Sequence, residues 1–239
     1  MEIRAVLFDL DNTLFDHSTS ARAGLDAFLQ HLGTASTDEL ARAWFQLEQT
    51  TYDRFLAHEL SFHEQRRERL RQFLPLTGRA VPATDRLLDG LFDVYLQNYQ
   101  TAWAAFPDAG PALQSLHDGD MPVGVITNGN HRQQTLKVSR IGLGPLMQGI
   151  FSSESMGHAK PSSEAFRQPC QSLGISPAHV LYVGDNFRVD VEGARNAGLQ
   201  AIHLNRDGGG PEGTIQNLAE LVPLLGAETG GASDSTTLV

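Results

Sequence analysis

The sequence predicts an α/β fold, a parallel-sheet core interrupted by an all-helical insertion, and three observations carry that expectation. Short apolar runs at residues 5–8, 121–126 and 180–183 each stop at a polar cluster, the pattern of strands buried on both faces of a parallel sheet. Between the first two runs lie about ninety residues with helical spacing and no strand, far more than the few residues that join a strand to a helix. Beyond them, helical stretches alternate with short strands to about residue 225, as in a sheet whose strands are linked by covering helices.

The first strand runs into Asp9-Leu10-Asp11-Asn12-Thr13. Ligands of parallel sheets bind just beyond the carboxyl ends of the strands, so Asp9 is expected on the floor of a cleft. A second carboxylate two residues on separates two roles. One side chain suits a nucleophile or a hard-metal ligand, and the other suits proton transfer. The plainer alternative is a turn in which Asp9, Asp11 and Asn12 bond only local backbone. The insertion reads as helices at 18–32, 37–60, 61–74 and 84–99, the first with Ala21, Leu25, Phe28 and Leu29 on one face and Gly33 at its end. Its aromatics, Trp44, Phe45, Tyr52, Phe55, Phe62, Phe73, Phe92, Tyr95 and Tyr99, are expected to form the bundle core rather than a substrate pocket. The run Arg66, Arg67, Arg69, Arg71 is expected to be a solvated face.

After Pro107 a helix is expected over 111–116, and the strand at 121–126 stops at Thr127-Asn128-Gly129 before a helix near His131. A Thr hydroxyl with the backbone amides of a helix start can cradle an anion; a β-turn with an Asn cap is the alternative. A short strand at 149–151 leads through a loop to His158-Ala159-Lys160-Pro161, where Pro161 disfavours helical geometry at Lys160 and leaves its ammonium able to reach the strand ends. A helix follows from Ser162 or Ser163 to Leu173. The strand at 180–183 ends in Gly184-Asp185-Asn186, with Gly184 expected to allow a sharp turn. Asp185 would meet Asp9 if their strands are neighbours. Asp190 falls near the start of a helix running to Gly198, either as a first-turn charge or as a partner that orients Asp185, Lys160 or metal-bound water. A fifth strand is expected at 200–204, an amphipathic helix at 214–225 and a flexible tail at 226–239.

With 18 Lys plus Arg against 28 Asp plus Glu, the formal charge is −10, which argues against a nucleic-acid polymer as partner. The single cysteine, Cys170, excludes an internal disulfide and is expected to be a small packed side chain. No apolar run reaches membrane-spanning length, and the first residues lack the pattern of a secretion signal, so a soluble cytoplasmic protein without a membrane partner is expected.

Taken in order, Asp9-Leu10-Asp11-Asn12-Thr13, Thr127-Asn128, Lys160-Pro161 and Gly184-Asp185 with Asp190 resemble the motifs of the haloacid dehalogenase superfamily, in its phosphatase branch. The resemblance implies a Rossmann-like catalytic core over residues 1–15 and 105–225, with a helical cap over 16–104. It implies a Mg²⁺-dependent phosphoric monoester hydrolase in which Asp9 is the nucleophile and Asp11 the general acid and base. Asp9, Asp185 and the backbone carbonyl of Asp11 would hold the metal. Thr127, Asn128 and Lys160 would bind the substrate phosphate, with Thr13 and Asp190 behind them. The implied substrate is a small phosphorylated metabolite, a nucleoside monophosphate or a sugar phosphate. Dehalogenating members lack the second carboxylate, because a halide leaves without a proton. A phosphomutase would share these residues. A non-catalytic, phosphate-binding member would be expected to have lost the nucleophile, the lysine or a metal carboxylate, and none is missing.

Overall fold

Strand β1 (Ala5–Phe8) lies at the centre of a five-stranded parallel sheet that it forms with β2 (Val123–Thr127), β3 (Gly149–Ser152), β4 (Val180–Gly184) and β5 (Gln200–His203), in the order β3-β2-β1-β4-β5. All residues of β1, β2 and β4 are buried, which explains why they read as continuous apolar runs, whereas the edge strands β3 and β5 are mostly half-buried. Phe8, the last residue of β1, pairs with both Val125 and Val183, so β2 runs two residues and β4 one residue beyond it. The chain moves outward from β1 to β3 on one side and from β4 to β5 on the other. The switch point therefore lies between β1 and β4, with Asp9 and Asp185 leaving the sheet on either side of it.

This computed structural model describes residues 2–229. They divide into two compact units, one formed by the chain up to Asp16 and from Ala104 onward, the other by His17–Trp103. In the first, the remaining elements are α5 (Ala109–Asp118), α6 (His131–Arg140), α7 (Ser153–Met156), α8 (Ser163–Leu173), a π-helical turn (Phe187–Glu192) that continues as α9 (Gly193–Ala197), and α10 (Leu221–Thr229). The short α7 occupies part of the stretch expected as loop, because Ser152 caps it by accepting from the Ser155 N–H. The helix expected over 214–225 begins later: Ile215 is bridged to Leu204, and Asn217 caps a 3₁₀ turn that leads into α10. The first four residues of the expected tail, 226–229, belong to α10, and 230–239 lie outside the described residues.

The second unit contains α1 (His17–His31), α2 (Asp38–Leu56), α3 (Phe62–Phe73) and α4 (Asp85–Thr101). Trp44, fully buried, is surrounded by the rings of Phe28, Phe73, Phe92 and Tyr95, so Trp44, Phe73, Phe92, Tyr95 and the buried Tyr99 form bundle core as expected, whereas Phe45, Tyr52, Phe55 and Phe62 are only half-buried. Gly24 permits the close crossing of α1 and α4, since a Cβ there would lie 2.9 Å from Tyr99 Cα. The arginine run is not a single solvated face. At offsets of one, three and five residues its members point around the helix: Arg67 and Arg71 pair with Asp85 and Asp89 of α4, while Arg69 is buried against Glu48 at 2.6 Å. Among the described residues, no helix is long and apolar enough to cross a membrane.

Candidate active site

At the end of β1 the sheet continues for one more bond, Asp9 N–H to the Val183 carbonyl at 2.9 Å, which leaves the Asp9 side chain at the switch point and 7 % exposed. The chain then folds back on itself. The N–H groups of Leu14 and Phe15 both reach the Leu10 carbonyl, and Asn12 takes a left-handed conformation with φ 63° that its short polar side chain tolerates. Asp11 is carried on this turn, its side chain 30 % exposed. Thr13 is buried with its hydroxyl unpartnered, and its carbonyl accepts from Arg206 Nη2 at 2.8 Å. Arg206 also forks onto Asp108 and lies over the Phe106 ring, so one guanidinium ties the motif turn to the chain that follows the insertion.

Lys160 reaches the strand ends as its position before Pro161 predicts, across a cis Lys160-Pro161 bond. Its ammonium donates to Asp9 Oδ1 at 2.6 Å, Asp190 Oδ1 at 2.7 Å and the Tyr182 hydroxyl at 2.9 Å, which uses all three of its hydrogens. The Asn128 side chain fixes the lysine backbone, accepting from Lys160 N–H at 2.8 Å and donating to its carbonyl at 2.9 Å. Burial works against both charges of the central pair. It raises the Asp9 carboxyl well above its ordinary range; Lys160 opposes that shift, while Asp190, Asp185 and Asp11 add to it. For Lys160 burial alone would lower the pKa, but Asp190 and Asp9 carry it well above the usual lysine value.

Asp190 is a first-turn residue of its helix, as expected, but it is more than a helix-end charge. It sits in the π-helical turn, 2 % exposed, with one oxygen on Lys160 and Tyr182 and the other accepting from the Asn186 N–H at 3.0 Å. Such turns are frequent at functional sites because they aim a side chain that a regular helix would carry past. Gly184 is needed for this close approach and not for a sharp turn. It is the last residue of β4 with no left-handed φ, and a Cβ there would lie 2.5 Å from Asp190 Cγ.

At the end of β2, the buried Thr127 hydroxyl accepts from Gln134 Nε2 at 2.6 Å, and the same amide donates to Asp11 Oδ2 at 2.9 Å. Lys137 Nζ is 2.5 Å from Asp11 Oδ1. Sequence reasoning missed Gln134, Lys137 and Tyr182; for the first two the available signal was their i, i+3 spacing on the helix that starts at a strand-end motif. The amides expected to cradle an anion at that helix start are engaged within the protein: Gly129 N–H donates to Ser153 Oγ, and His131 N–H to the Glu154 carboxylate at 2.8 Å. The protein supplies its own anion there. His158 is an exposed loop residue, and Cys170 is a buried core thiol.

Oxygens of Asp9, Asp185 and Asp190 lie within 4.8 Å of one another. Three carboxylates against the single Lys160 ammonium leave two negative charges uncompensated, and the Asp185 carboxyl is pushed up to about 6 by burial and by the nearby Asp190. An all-oxygen set short of positive charge fits a hard divalent cation. Both oxygens of Asp190 are already committed, which makes Asp9 and Asp185 the better placed donors.

A model of the haloacid dehalogenase-like hydrolases matches residues 3–198. The chain belongs to that family. Among its relatives in the family, the ribulose-1,5-bisphosphate 5-phosphatase of Halopiger xanaduensis is 29 % identical, with 83 % of each chain covered. The (S)-2-haloacid dehalogenase 4A of Burkholderia cepacia is 28 % identical over 93 % of this chain and 95 % of its own. Of solved structures, the HAD-hydrolase YfnB of Bacillus subtilis, crystallised bound to magnesium, matches with a TM-score of 0.80 at 24 % identity, covering 95 % of this chain and all of the other.

Proposed function

We propose that this hydrolase is a phosphatase that cleaves a phosphate monoester of a small metabolite, a sugar phosphate or nucleoside monophosphate, through a phosphoryl group carried on Asp9. The observation that carries the reading is the pair of carboxylates with separate surroundings: Asp9 bonded to Lys160 at the switch point, and Asp11 two residues on, bonded to α6 instead. A dehalogenase has no use for the second. The relative that is a ribulose bisphosphate phosphatase supports the sugar-phosphate side of the range.

Asp9 and Asp185, with the backbone carbonyl of Asp11, would hold Mg²⁺, which when bound supplies the positive charge that keeps the two carboxylates ionised beside a phosphate. The reaction then uses the chain's own groups. An Asp9 oxygen attacks phosphorus in line as the P–O bond to the leaving alcohol breaks, and Asp11 gives that oxygen its proton. Lys160 and the Thr127 hydroxyl receive the phosphoryl oxygens, Lys160 exchanging contacts with Asp9 and Asp190 for them. Asn128 contributes by holding Lys160 in place. In the second step Asp11, now ionised, takes a proton from the water that attacks phosphorus, the P–O bond to Asp9 breaks, and inorganic phosphate leaves. Thr13 and Asp190 support the turn and the lysine.

Phosphate release from a panel of sugar phosphates, nucleoside monophosphates and phosphoglycolate, and chloride release from 2-chloropropionate, all with Mg²⁺ present, test the reading. Acid-quenched wild type should carry one added phosphoryl group and Asp9→Asn none, with turnover of the variant lower by several orders of magnitude. Halide release without phosphate release would overturn it, as would wild-type rates in Asp9→Asn.

A further inference from the structure

Lys137 and Gln134 are each 3 % exposed, on a helix whose neighbouring positions Leu136 and Thr135 face solvent. A lysine is almost never buried unless it is paired, and this one is paired with the Asp11 carboxylate. Its ammonium also lies 4.7 Å from the centre of the Phe15 ring, so it is held against both ends of the motif turn. Gln134 has two amide hydrogens and spends one on the Thr127 hydroxyl and one on Asp11. Each Asp11 oxygen therefore has its own donor, the two donors come from one turn of α6, and the start of α6 is pinned by the Asn130 cap and by Glu154.

We propose that Gln134 and Lys137 are positioning residues for proton transfer: they clamp the Asp11 carboxylate in the orientation that meets the leaving-group oxygen, and Gln134 couples that orientation to the Thr127 hydroxyl. An aspartate carboxylate is otherwise soft, because its terminal torsion has broad wells. Proton transfer requires a donor within about 3 Å of the accepting oxygen, and displacement of a reacting group by about 1 Å can cost roughly 10²-fold. A clamp of this kind affects steps that need the proton and spares those that do not. The inference rests on the assignment of Asp11 as acid and base, and the experiment separates the two.

Single-turnover phosphorylation of Asp9 is followed with ribose 5-phosphate, whose alkoxide needs a proton, and with p-nitrophenyl phosphate, whose phenolate does not. Asp11→Asn, Gln134→Ala and Lys137→Met are compared after a melting curve establishes that each is folded. For Gln134→Ala and Lys137→Met the alkyl rate should fall about 10- to 100-fold. In Lys137→Met the nitrophenolate burst should keep its rate; in Gln134→Ala, which also releases the Thr127 hydroxyl, the burst should slow less than the alkyl rate; and phosphoenzyme should accumulate in both because its hydrolysis also needs Asp11. Should Lys137→Met fail to fold, Gln134→Ala, which leaves the ion pair intact, decides by its ratio of alkyl to aryl rate, since loss of the Thr127 contact slows both substrates alike. Equal loss with both substrates, or no loss, while Asp11→Asn shows the split, overturns the clamp and leaves the acid and base assignment standing. If Asp11→Asn itself shows no split, the assignment falls and the clamp with it.

Discussion

Replacing Gly184 by alanine would place a methyl carbon 2.5 Å from Asp190 Cγ, 2.6 Å from its Cβ and 2.7 Å from its Oδ2. Carbon atoms in contact sit about 3.5–4.0 Å apart, so one side must give by roughly 1 Å. Neither is free to do so. Gly184 is in a central strand paired with β5, and Asp190 is held by Lys160, Tyr182 and the Asn186 N–H. Overpacking of this kind costs about 1–3 kcal/mol. At about 2–4 °C per kcal/mol for a domain of this size, the melting temperature should drop by roughly 2–12 °C. The Lys160 contact moves with Asp190, and a shift of about 1 Å in that lysine should lower turnover by about 10²-fold in the fraction that remains folded. Differential scanning fluorimetry and a phosphate-release assay on Gly184→Ala read both effects. In an Asp190→Gly background, where the colliding atoms are gone, the same substitution should cost less by about 1 kcal/mol or more. An equal penalty in both backgrounds, or a Gly184→Ala variant with wild-type melting and turnover, would refute the close-approach argument.

Three further outcomes follow from the same structure. In the helical unit, burial opposes ionisation of Glu48, yet the Arg69 guanidinium and His17 hold its carboxyl well below the usual range. The pair should then stabilise fully above about pH 4.3 and lose its contribution as pH falls toward the native value, so melting curves from pH 7 to 3 should fall more steeply for wild type than for Glu48→Gln. Parallel curves would remove the pair from the stability account. The Cys170 thiol, pushed up to about 11 by burial and donating to the Phe166 carbonyl, should resist iodoacetamide at pH 8 in the native protein and react only in denaturant. Rapid native labelling would contradict its place in the core. A chelator should abolish phosphate release and Mg²⁺ should restore it, while undiminished turnover in chelator would reject Asp9 and Asp185 as metal ligands.

Why some of this was legible in the sequence and some was not comes down to whether a residue's role is written in its immediate neighbours. β1, β2 and β4 are buried on both faces, so each announces itself as an apolar run, and the residue that follows each run is at the sheet's edge whatever the rest of the chain does. Asp9, Thr127 and Asp185 could be placed that way, and so could Lys160, whose reach toward the strand ends follows from its place before a proline on a loop. The role of Asp190 depends on a π-helical turn whose register departs from the 3.6-residue period, and the need for glycine at position 184 depends on that same turn delivering a carboxylate to its Cα. Lys137 and Gln134 look like ordinary polar residues of an amphipathic helix. Their burial depends on α6 packing its polar stripe against the turn that carries Asp11, more than 120 residues earlier in the chain. A lone lysine on a helix is solvated in most settings, so local spacing favours the surface reading; only an acid held opposite by the fold reverses that balance. Of the residues that the sequence hides, Gln134 and Lys137 reach the carboxylate proposed as acid and base from the side, through α6, and it is there that substitutions of innocent appearance should separate one half-reaction from the other.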